Sequence, residues 1–414
     1  MPDAPRHSPH EGKPRLKILL GADTFWPEIN GAASFIARLA AGLVERGHEV
    51  HLAAPSYSNK KLGAQQEEHE GQTFTVHRIY SWRWYPHPWL RFSLPWRIKQ
   101  NSAKIIDLVK PDVIHFQSHI IIGRGMTIEG EKRGIRLIGT NHVMPENLLE
   151  YTAIIPPFFT EKAIQLAWNA SDRVFGRAER ATAPTQKAAS YLEQHTSVKN
   201  VLAISCGLDT HNYVPNMSTK KDNLIVFLGR MVTEKQIDRL IRAFATLDPA
   251  LDARLELVGG GDQEHALKNL AASLGVSDRV HFTGYVEEEY LRTALTRAKV
   301  FAMPSIAELQ SISTMEAMAS GLPIVAADAM ALPHLVHDGE NGFLFEPGNV
   351  EELAEKLTKV LTMPEKELLA FKEESLRIVQ AHDIQRTLDT FESLYRGEPV
   401  DVGVGTEAKS RATH

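Results

Sequence analysis

Two successive series of short apolar segments, each segment followed by a helix-like repeat, constrain the fold of this chain more than any other sequence feature. The first series begins with LKILLG at residues 16–21, continues through HEVHLAAP, FTVHRIY, DVIHFQS and IRLIGT, and ends near residue 140. After LKILLG, the segment SFIARLAAGLVERG repeats apolar residues at helical spacing and stops at Gly47, a residue type that often terminates helices. Strands that alternate with helices form parallel sheets covered on both faces.

A second series starts after the polar, turn-rich stretch NYVPNMSTKKDN. Its apolar segments LIVFLG, RLELVGG, RVHFTG, VFAMPS and PIVAAD alternate with amphipathic segments such as RLIRAFATL. The sequence therefore predicts an α/β protein with two Rossmann-like, doubly wound parallel-sheet domains, at 16–205 and 206–378. We expect a helix at 379–397 to pack back on the first domain, and residues 1–15 and 398–414 to be disordered. Ligands of such sheets bind beyond the carboxyl ends of the strands, which predicts a central cleft between the two domains.

Composition limits the classes of protein to which the chain can belong. Its 46 basic and 51 acidic residues give a formal net charge of −5, whereas nucleic-acid-binding proteins usually carry a broad basic excess. The single cysteine, Cys206, cannot form an internal disulfide, which favours a reducing cytoplasm. The start MPDAPRHSPHEGKPR lacks the apolar core of a signal peptide, and no apolar run approaches the roughly 18 residues that span a bilayer. We expect a cytoplasmic protein without a nucleic-acid partner that, if it uses a membrane, lies on its inner face.

Several nucleotide-binding motifs are absent from the sequence. The first strand–helix turn, GADTFWPEINGAA, lacks the G-x-G-x-x-G fingerprint, and GMTIEGEK places Glu131 where the lysine of a P-loop would stand. No Asp-x-Asp pair occurs that could hold a metal–diphosphate complex. These absences disfavour a dehydrogenase, a P-loop NTPase and a metal-dependent diphosphate transferase. We expect no metal and no cofactor.

Two cations follow the first apolar segment of the second series. FLGRMVTEKQIDRL places Arg230 and Lys235 in the loop and helix start after a predicted strand. Cations at the end of a parallel strand, beside the N–H groups of a helix N-terminus, can bind a diphosphate. The alternative is that both are solvated surface charges.

Two carboxylates lie eight residues apart in PSIAELQSISTMEAMASGLP. Glu308 follows the strand VFAMP, and a short helix from about Ser313 to Ser320 carries Glu316. Carboxylates accept short, directional hydrogen bonds from sugar hydroxyls. Glu316 could instead complete a capping box with Ser313, and a carboxylate pair also occurs in glycosidases, which need no neighbouring diphosphate site.

These motifs together resemble those of the retaining group 1, or family four, glycosyltransferases. The resemblance rests on the Glu308–Glu316 spacing, on AMASGLPIVAA and VHDGENGFLFEPGN after it, and on GR-x₄-K before it. It covers roughly residues 16–396 and implies the GT-B fold. By position, Arg230 and Lys235 would clamp the donor diphosphate, Glu316 would bind the ribose diol, and Glu308 would bind the transferred hexose. Tyr285 and Val286 of FTGYV would line the nucleobase pocket.

The resemblance also assigns residues on both sides of the predicted cleft. In the second domain the family commonly has Phe-Gly where this chain has Gln310 and Ser311, and we expect Ser311 and Ile312 at the donor. In the first domain PEINGAAS offers Gly31 for an amide contact to the diphosphate. DVIHFQSHIIIGR contains His119, a candidate hydrogen-bonding residue near the transferred sugar, and GTNHVMPENL places His142 near the acceptor. The alternative for His142 is an internal loop contact.

The segment YSWRWYPHPWLRFSLPWRIKQ, residues 80–100, contains four of the six tryptophans and no acidic residue. It could be a nucleic-acid stacking platform, a membrane-facing patch or an ordinary aromatic core. Tryptophan and basic residues favour the membrane interface, and five cations occur from Arg78 to Lys99. We assign the following residues to acceptor or membrane contacts: Trp82, Arg83, Trp84, Trp89, Arg91 and Trp96.

The resulting hypothesis is a peripheral hexosyltransferase. It would move glucose or mannose from UDP-glucose or GDP-mannose to a glycerolipid at an anionic membrane surface, as the similarity to diacylglycerol hexosyltransferases and phosphatidylinositol mannosyltransferases implies. Two alternatives remain: transfer to a soluble glycan or polyol, and a nucleotide-sugar epimerase with the same fold.

Overall fold

The computed structural model describes residues 10, 12–28, 30–58, 60–83, 91–145, 157–218 and 222–400. The chain forms two compact units. The first contains the residues up to Cys206 together with those from Gln385 on, and the second is Gly207–Ile384.

An eight-stranded sheet forms the centre of the first unit, in the order β10-β9-β8-β7-β1-β2-β4-β3. Every neighbouring pair is parallel except β3 with β4, and β5 and β6 pair separately as an antiparallel ribbon. The strands are β1 (Lys17–Gly21), β2 (Glu49–Pro55), β3 (Gly63–His69), β4 (Gln72–Ile79), β5 (Ser81–Arg83), β6 (Arg91–Ser93), β7 (Val113–Phe116), β8 (Arg136–Thr140), β9 (Arg180–Ala183) and β10 (Leu202–Ala203).

A six-stranded, fully parallel sheet forms the centre of the second unit, in the order β13-β12-β11-β14-β15-β16. Its strands are β11 (Leu224–Leu228), β12 (Arg254–Val258), β13 (Val280–Gly284), β14 (Val300–Met303), β15 (Ile324–Ala327) and β16 (Gly342–Phe345). Strands β14 and β15 are buried along their whole length, as expected of a parallel sheet covered on both faces.

Helices connect the strands of both units. In chain order they are α1 (Gly31–Glu45), α2 (Ile98–Val109), α3 (Ile122–Lys132), α4 (Pro157–Phe175), α5 (Gln186–His195), α6 (Ile237–Ala245), α7 (Glu264–Ser273), α8 (Glu288–Arg297), α9 (Ile312–Ala319), α10 (Leu332–Leu335), α11 (Val350–Leu361), α12 (Glu365–Val379) and α13 (Ile384–Arg396). The predicted α/β class is confirmed. Among the described residues, no helix is both long and apolar enough to cross a membrane.

The last helix, α13, is part of the first unit. The ring of Phe391 lies 6.0 Å from that of Phe35 and 4.8 Å from that of His115, measured between centroids. At the solvent side, Arg46 pairs with Asp389 at 2.7 Å. These contacts attach the helix to α1 and to strand β7.

Part of the chain before β1 is packed against the first unit, contrary to the predicted disorder. The sequence predicts a disordered lead up to residue 15, yet His10 is buried and lies 3.2 Å from the carbonyl oxygen of Asp389. Lys13 also donates to Glu398 at 2.7 Å, at the start of the predicted disordered tail. These contacts hold the described residues of the two segments in place, and sequence periodicity cannot detect them.

Candidate functional site

Glycines line the carboxyl ends of the central strands in the second unit. The N–H of Gly259, just after β12, donates to the carbonyl of Gly284 at 3.1 Å. Gly259 has a φ of 122°, and a Cβ there would overlap the carbonyl oxygen of Gly229. Only glycine fits this conformation and this approach, so the ends of β11, β12 and β13 present a backbone surface without side chains at this point.

The predicted diphosphate and sugar residues contact each other. Lys235 lies in the short turn Thr233–Lys235 after β11, and its Nζ donates to Oε1 of Glu308, in the loop after β14. The Lys235 and Glu308 side chains are only 16% and 10% exposed. The N–H of Ile306 donates to the carbonyl of Glu234 at 3.1 Å and joins the two loops. This partly buried ion pair shows that Lys235 is not an isolated surface charge.

Arg230 follows β11 in the same loop and is half-buried. The structure therefore places Arg230, Lys235 and Glu308 in loops that follow the adjacent strands β11 and β14.

Glu316 is held by a residue that the sequence analysis did not identify. Its Oε1 accepts a hydrogen bond from the hydroxyl of Tyr213 at 3.0 Å, and both side chains are buried. The capping-box interpretation is wrong, because α9 begins at Ile312 rather than Ser313 and its N-cap, Ser311, makes no side-chain cap bond. Tyr213 lies in the turn-rich stretch before β11, where no pattern indicated a role.

Ser311 departs from ordinary backbone geometry. Its φ of 71° is in the left-handed region, which favours the glycine expected from the family pattern. Its hydroxyl lies 2.8 Å from that of Thr314. The chain thus keeps a glycine-like turn before Ile312 and adds a buried side chain to it.

Tyr285 presents an aromatic surface at the end of β13. Its side chain is 70% exposed, and a Cβ at Gly260 would lie 2.8 Å from its ring. The ring therefore packs over the bare backbone of Gly260, and the half-buried Val286 follows it.

In the first unit, Gly31 is the exposed first residue of α1. The preceding Asn30 caps the helix, its Oδ1 accepting from the N–H of Ala33 at 2.9 Å. Gly31 thus lies at a helix N-terminus, where backbone N–H groups favour anions.

His119 lies in the loop between β7 and α3 and is 5% exposed. Its Nδ1 is buried and has no hydrogen-bond partner among the residues that the structure describes. Burial lowers the pKa of His119 to about 4, so the imidazole is neutral at pH 7. It can offer a hydrogen bond but not a positive charge.

His115 and His142 belong to an internal polar network. The Nδ1 of His115 lies 2.7 Å from the hydroxyl of Tyr395 on α13, and its Nε2 lies 2.7 Å from that of Thr140. The Nε2 of His142 is bonded to Oε1 of Gln117 at 2.8 Å. Burial lowers the pKa of His142 to about 4. His142 makes the internal contact that was the alternative to an acceptor role.

The aromatic, basic segment is partly exposed. Trp82 on β5 is 43% exposed and Trp96, before α2, is 67% exposed, with ring centroids 5.9 Å apart. Arg83 is exposed, whereas the half-buried Arg91 donates to Oγ of Ser81 at 3.0 Å. Trp84 and Trp89 lie outside the described residues.

Arg78 does not belong to this exposed set. It is 3% exposed, pairs with Glu67 at 2.5 Å and donates to the carbonyl of Pro55 at 3.0 Å. The prediction that Arg78 is one of five cations for membrane binding was wrong. Strand β3, which carries Glu67, pairs with β4 and so brings Glu67 to Arg78.

One group of possible metal ligands occurs in the described part of the chain. Atoms of His337, Glu340 and Glu374 lie within 4.8 Å of one another. Glu374 already accepts from Arg377 at 2.7 Å, and the group lies outside the strand-end loops.

Comparison with known proteins gives the family. Residues 29–212 match the model of Glycosyltransferase Family 4, and residues 214–375 match that of Glycosyl transferases group 1. The chain belongs to the group 1 glycosyltransferases. It is an enzyme of this class, a hexosyltransferase, and it has the GT-B fold of two Rossmann-like domains.

Two relatives and one solved structure illustrate the similarity. The chain is 26% identical over 346 residues to the GDP-mannose-dependent alpha-mannosyltransferase of Mycolicibacterium smegmatis, covering 81% of this chain and 86% of the relative. It is 24% identical over 367 residues to the alpha-monoglucosyldiacylglycerol synthase of Acholeplasma laidlawii, covering 84% and 89%. Anabaena Alr3699/HepE, solved in complex with UDP-glucose, superposes with a TM-score of 0.72 at 19% identity, covering 92% and 100%.

Proposed function

We propose that this glycosyltransferase moves glucose or mannose from UDP-glucose or GDP-mannose to a glycerolipid, with retention of the anomeric configuration. The observation that carries the proposal is the contact between Lys235 and Glu308, with Glu316 on the helix that follows. A cation and a carboxylate in these loops, with a second carboxylate on the helix that follows, suit the phosphate and hydroxyl groups of one ligand.

Each part of the donor has a matching group in the second unit. Arg230 and Lys235 bind the diphosphate, Glu316 binds the ribose diol, and Glu308 binds hydroxyls of the hexose. The exposed ring of Tyr285 and the adjoining Val286 bind the base, while Ser311 and Ile312 at the start of α9 approach the hexose and phosphate. The contact from Tyr213 fixes the Glu316 carboxylate for its diol.

The chemical step breaks the bond between the anomeric carbon and the diphosphate. The electron pair of that bond stays with the departing diphosphate, whose negative charge Arg230, Lys235 and the N-terminus at Gly31 stabilise. The acceptor hydroxyl attacks the same face of the sugar, and its proton passes to the leaving phosphate. His119, neutral at pH 7, hydrogen-bonds the transferred sugar. No metal or cofactor takes part in these steps.

A lipid acceptor is supported by the surface around Trp82 and Trp96. Two exposed tryptophans side by side suit the interface of a bilayer. Exposed cations lie beside the two tryptophans in the sequence and in and just after α2: Arg83, Arg97, Lys99, Lys104 and Lys110. The acidic residue in this stretch, Asp107, is bound by Arg133 at 2.8 Å. This surface suits an anionic membrane, and the relative that is a glucosyldiacylglycerol synthase by name supports the same acceptor class.

The reaction is tested by incubating the enzyme with each donor and a membrane lipid extract and seeking hexosylated lipid by mass spectrometry. Free epimerised sugar without acceptor, or transfer only to soluble glycans, would refute the lipid proposal. Glu316→Ala is expected to abolish donor binding while the fold persists, and unchanged affinity for UDP and GDP would count against the site.

Membrane binding is tested separately by co-sedimentation with anionic vesicles. We expect Trp82→Ala/Trp96→Ala to lose most of its binding, and Leu166→Ala, which removes another exposed apolar side chain of the first unit, to bind like the wild type. Failure of the wild type to sediment would remove the support for a membrane surface.

A further inference from the structure

A buried carboxylate holds the loop that carries His119. Asp23 follows β1 and is 8% exposed. Its Oδ1 accepts hydrogen bonds from the N–H groups of Ile121, at 3.1 Å, and Ile122, at 2.8 Å. Its Oδ2 accepts from the hydroxyl of Ser118. One side chain therefore binds the loop on both sides of His119.

The loop cannot supply these contacts itself. The first N–H groups of a helix need acceptors from outside it, and the N-cap of α3, Ile121, has no side chain that can provide one. The chain path is also tight, since a Cβ at Gly123 would overlap the carbonyl oxygen of Ser118. The N–H of Gln117 donates to the carbonyl of Gly21 at 2.9 Å and ties the start of the loop to β1.

This arrangement is more than the helix cap requires. A serine, threonine or asparagine at position 121 would cap α3 locally. Instead, a carboxyl group is buried, which raises its pKa above the ordinary value and costs free energy whenever it is ionised. What Asp23 adds to a cap is the bond to Ser118, next to His119. That bond holds Ser118, and therefore the backbone that leads into His119, in one place.

We propose that Asp23 is a positioning residue that clamps the loop 118–122 and so sets the place of the His119 imidazole. The inference rests on the proposed function in giving His119 a contact with the transferred sugar. Asp23 itself touches no substrate; it acts through the loop. The clamp uses one carboxylate for two tasks, capping α3 and aligning His119.

The clamp can be observed without any substrate. In the full chain labelled at histidine carbons, with His119 assigned by His119→Ala, Asp23→Ala should shift and broaden the His119 imidazole resonances. Asp23→Asn keeps an acceptor for the helix N–H groups and can only donate to the Ser118 hydroxyl, a weaker bond of reversed direction, so it should show an intermediate change. Ser118→Ala removes only the hydrogen bond between Ser118 and Asp23. It tests the proposal even if Asp23→Ala does not fold. Unchanged His119 resonances in the Asn and Ser118 variants would overturn the proposal.

Kinetics then separate positioning from a merely structural role. Misplacement by about 1 Å can cost roughly a hundredfold in rate, so Asp23→Ala should lower kcat by about tenfold to a hundredfold and change the KM of the donor little. The same substitution in a His119→Ala background should lower kcat no further, because the two residues act as one unit. Equal losses in both backgrounds would show that Asp23 serves only the fold. A wild type without transferase activity would refute the proposed function, and the resonance experiment would still decide the clamp.

Discussion

The Lys235–Glu308 pair leads to a prediction that runs against the usual effect of removing a binding residue. The Nζ of Lys235 is already engaged by Glu308, yet in the proposed reaction it also binds the diphosphate. Glu308→Gln keeps the shape of the side chain and removes its charge. The ammonium then keeps only a neutral amide acceptor at position 308, and UDP, which has no hexose, should bind more tightly.

The size of the effect follows from the burial of the pair. A hydrogen bond to a charged group contributes about 1.5–3 kcal/mol. The side chains of Lys235 and Glu308 are 16% and 10% exposed. Because water still reaches the pair, we use the lower end of this range, about 1.5 kcal/mol. At about 1.4 kcal/mol for each tenfold change in Kd, UDP should bind roughly tenfold more tightly. Hexosyl transfer should fall at the same time, since the hexose loses an ionised acceptor.

Isothermal titration of UDP at fixed ionic strength measures the first effect. Glu374→Gln is the matched control: it removes a carboxylate of the second unit that pairs with Arg377 at 2.5 Å, outside the site, and should leave the Kd unchanged. Lys235→Met should weaken UDP binding. If Glu308→Gln binds UDP no more tightly than the wild type, Lys235 is not held back from the diphosphate and the reasoning is wrong.

Three further predictions concern the base pocket and the stability of each unit. Gly260→Ala should displace the Tyr285 ring, since the new Cβ would lie 2.8 Å from it; titration should show weaker UDP binding, and an equal loss in a Tyr285→Ala background would contradict this cause. Arg297→Met should lower the free energy of unfolding of the second unit by about 1.5–3 kcal/mol, because buried Glu256 loses its cation and, among the described residues, keeps the hydroxyl of Tyr290 at 2.8 Å; urea unfolding measures this change, with the exposed Arg239→Met as control, and equal effects of the two substitutions would refute the prediction. Burial alone would raise the pKa of Glu392, but hydrogen bonds from His48 and Arg396 outweigh it and lower the pKa to about 2. Because this pKa lies below the ordinary 4.5, the carboxylate stabilises the fold above pH 4.5, and that stability is lost as the pH falls towards 2. Glu392→Gln should therefore have a lower free energy of unfolding at pH 7, and this free energy should change less with pH across that window. If urea unfolding gives the same pH dependence for both proteins, the ion network is not the cause.

The sequence predicted the parts of the fold that depend on continuous burial. LKILLG, DVIHFQS and LIVFLG became the central strands β1, β7 and β11, because strands covered on both faces must be apolar throughout. It missed β3, whose sequence GAQQEEH has neither an apolar run nor alternation. That strand lies at the sheet edge, where its stability comes from backbone pairing with β4.

The candidate site divides in the same way. Motif spacing indicated Lys235, Glu308 and Glu316, but the contact of Lys235 with Glu308 joins residues 73 positions apart and depends on β11 lying beside β14. The hydrophobic periodicity of single segments does not determine the order of strands in the sheet. Tyr213 and Asp23 act through single long-range hydrogen bonds, which leave no pattern in the neighbouring sequence. Arg78 was misjudged for the same reason, since its partner comes from the missed β3.

The return of α13 to the first unit has a consequence for the order of synthesis. The ribosome finishes all of residues 207–384 before it releases Phe391 and Tyr395, which cover Phe35 and His115. Until then the nascent amino-terminal half exposes an apolar surface that its own later residues must close. We expect a chain that ends after residue 384 to leave its amino-terminal half dependent on chaperones, even when the second unit has folded.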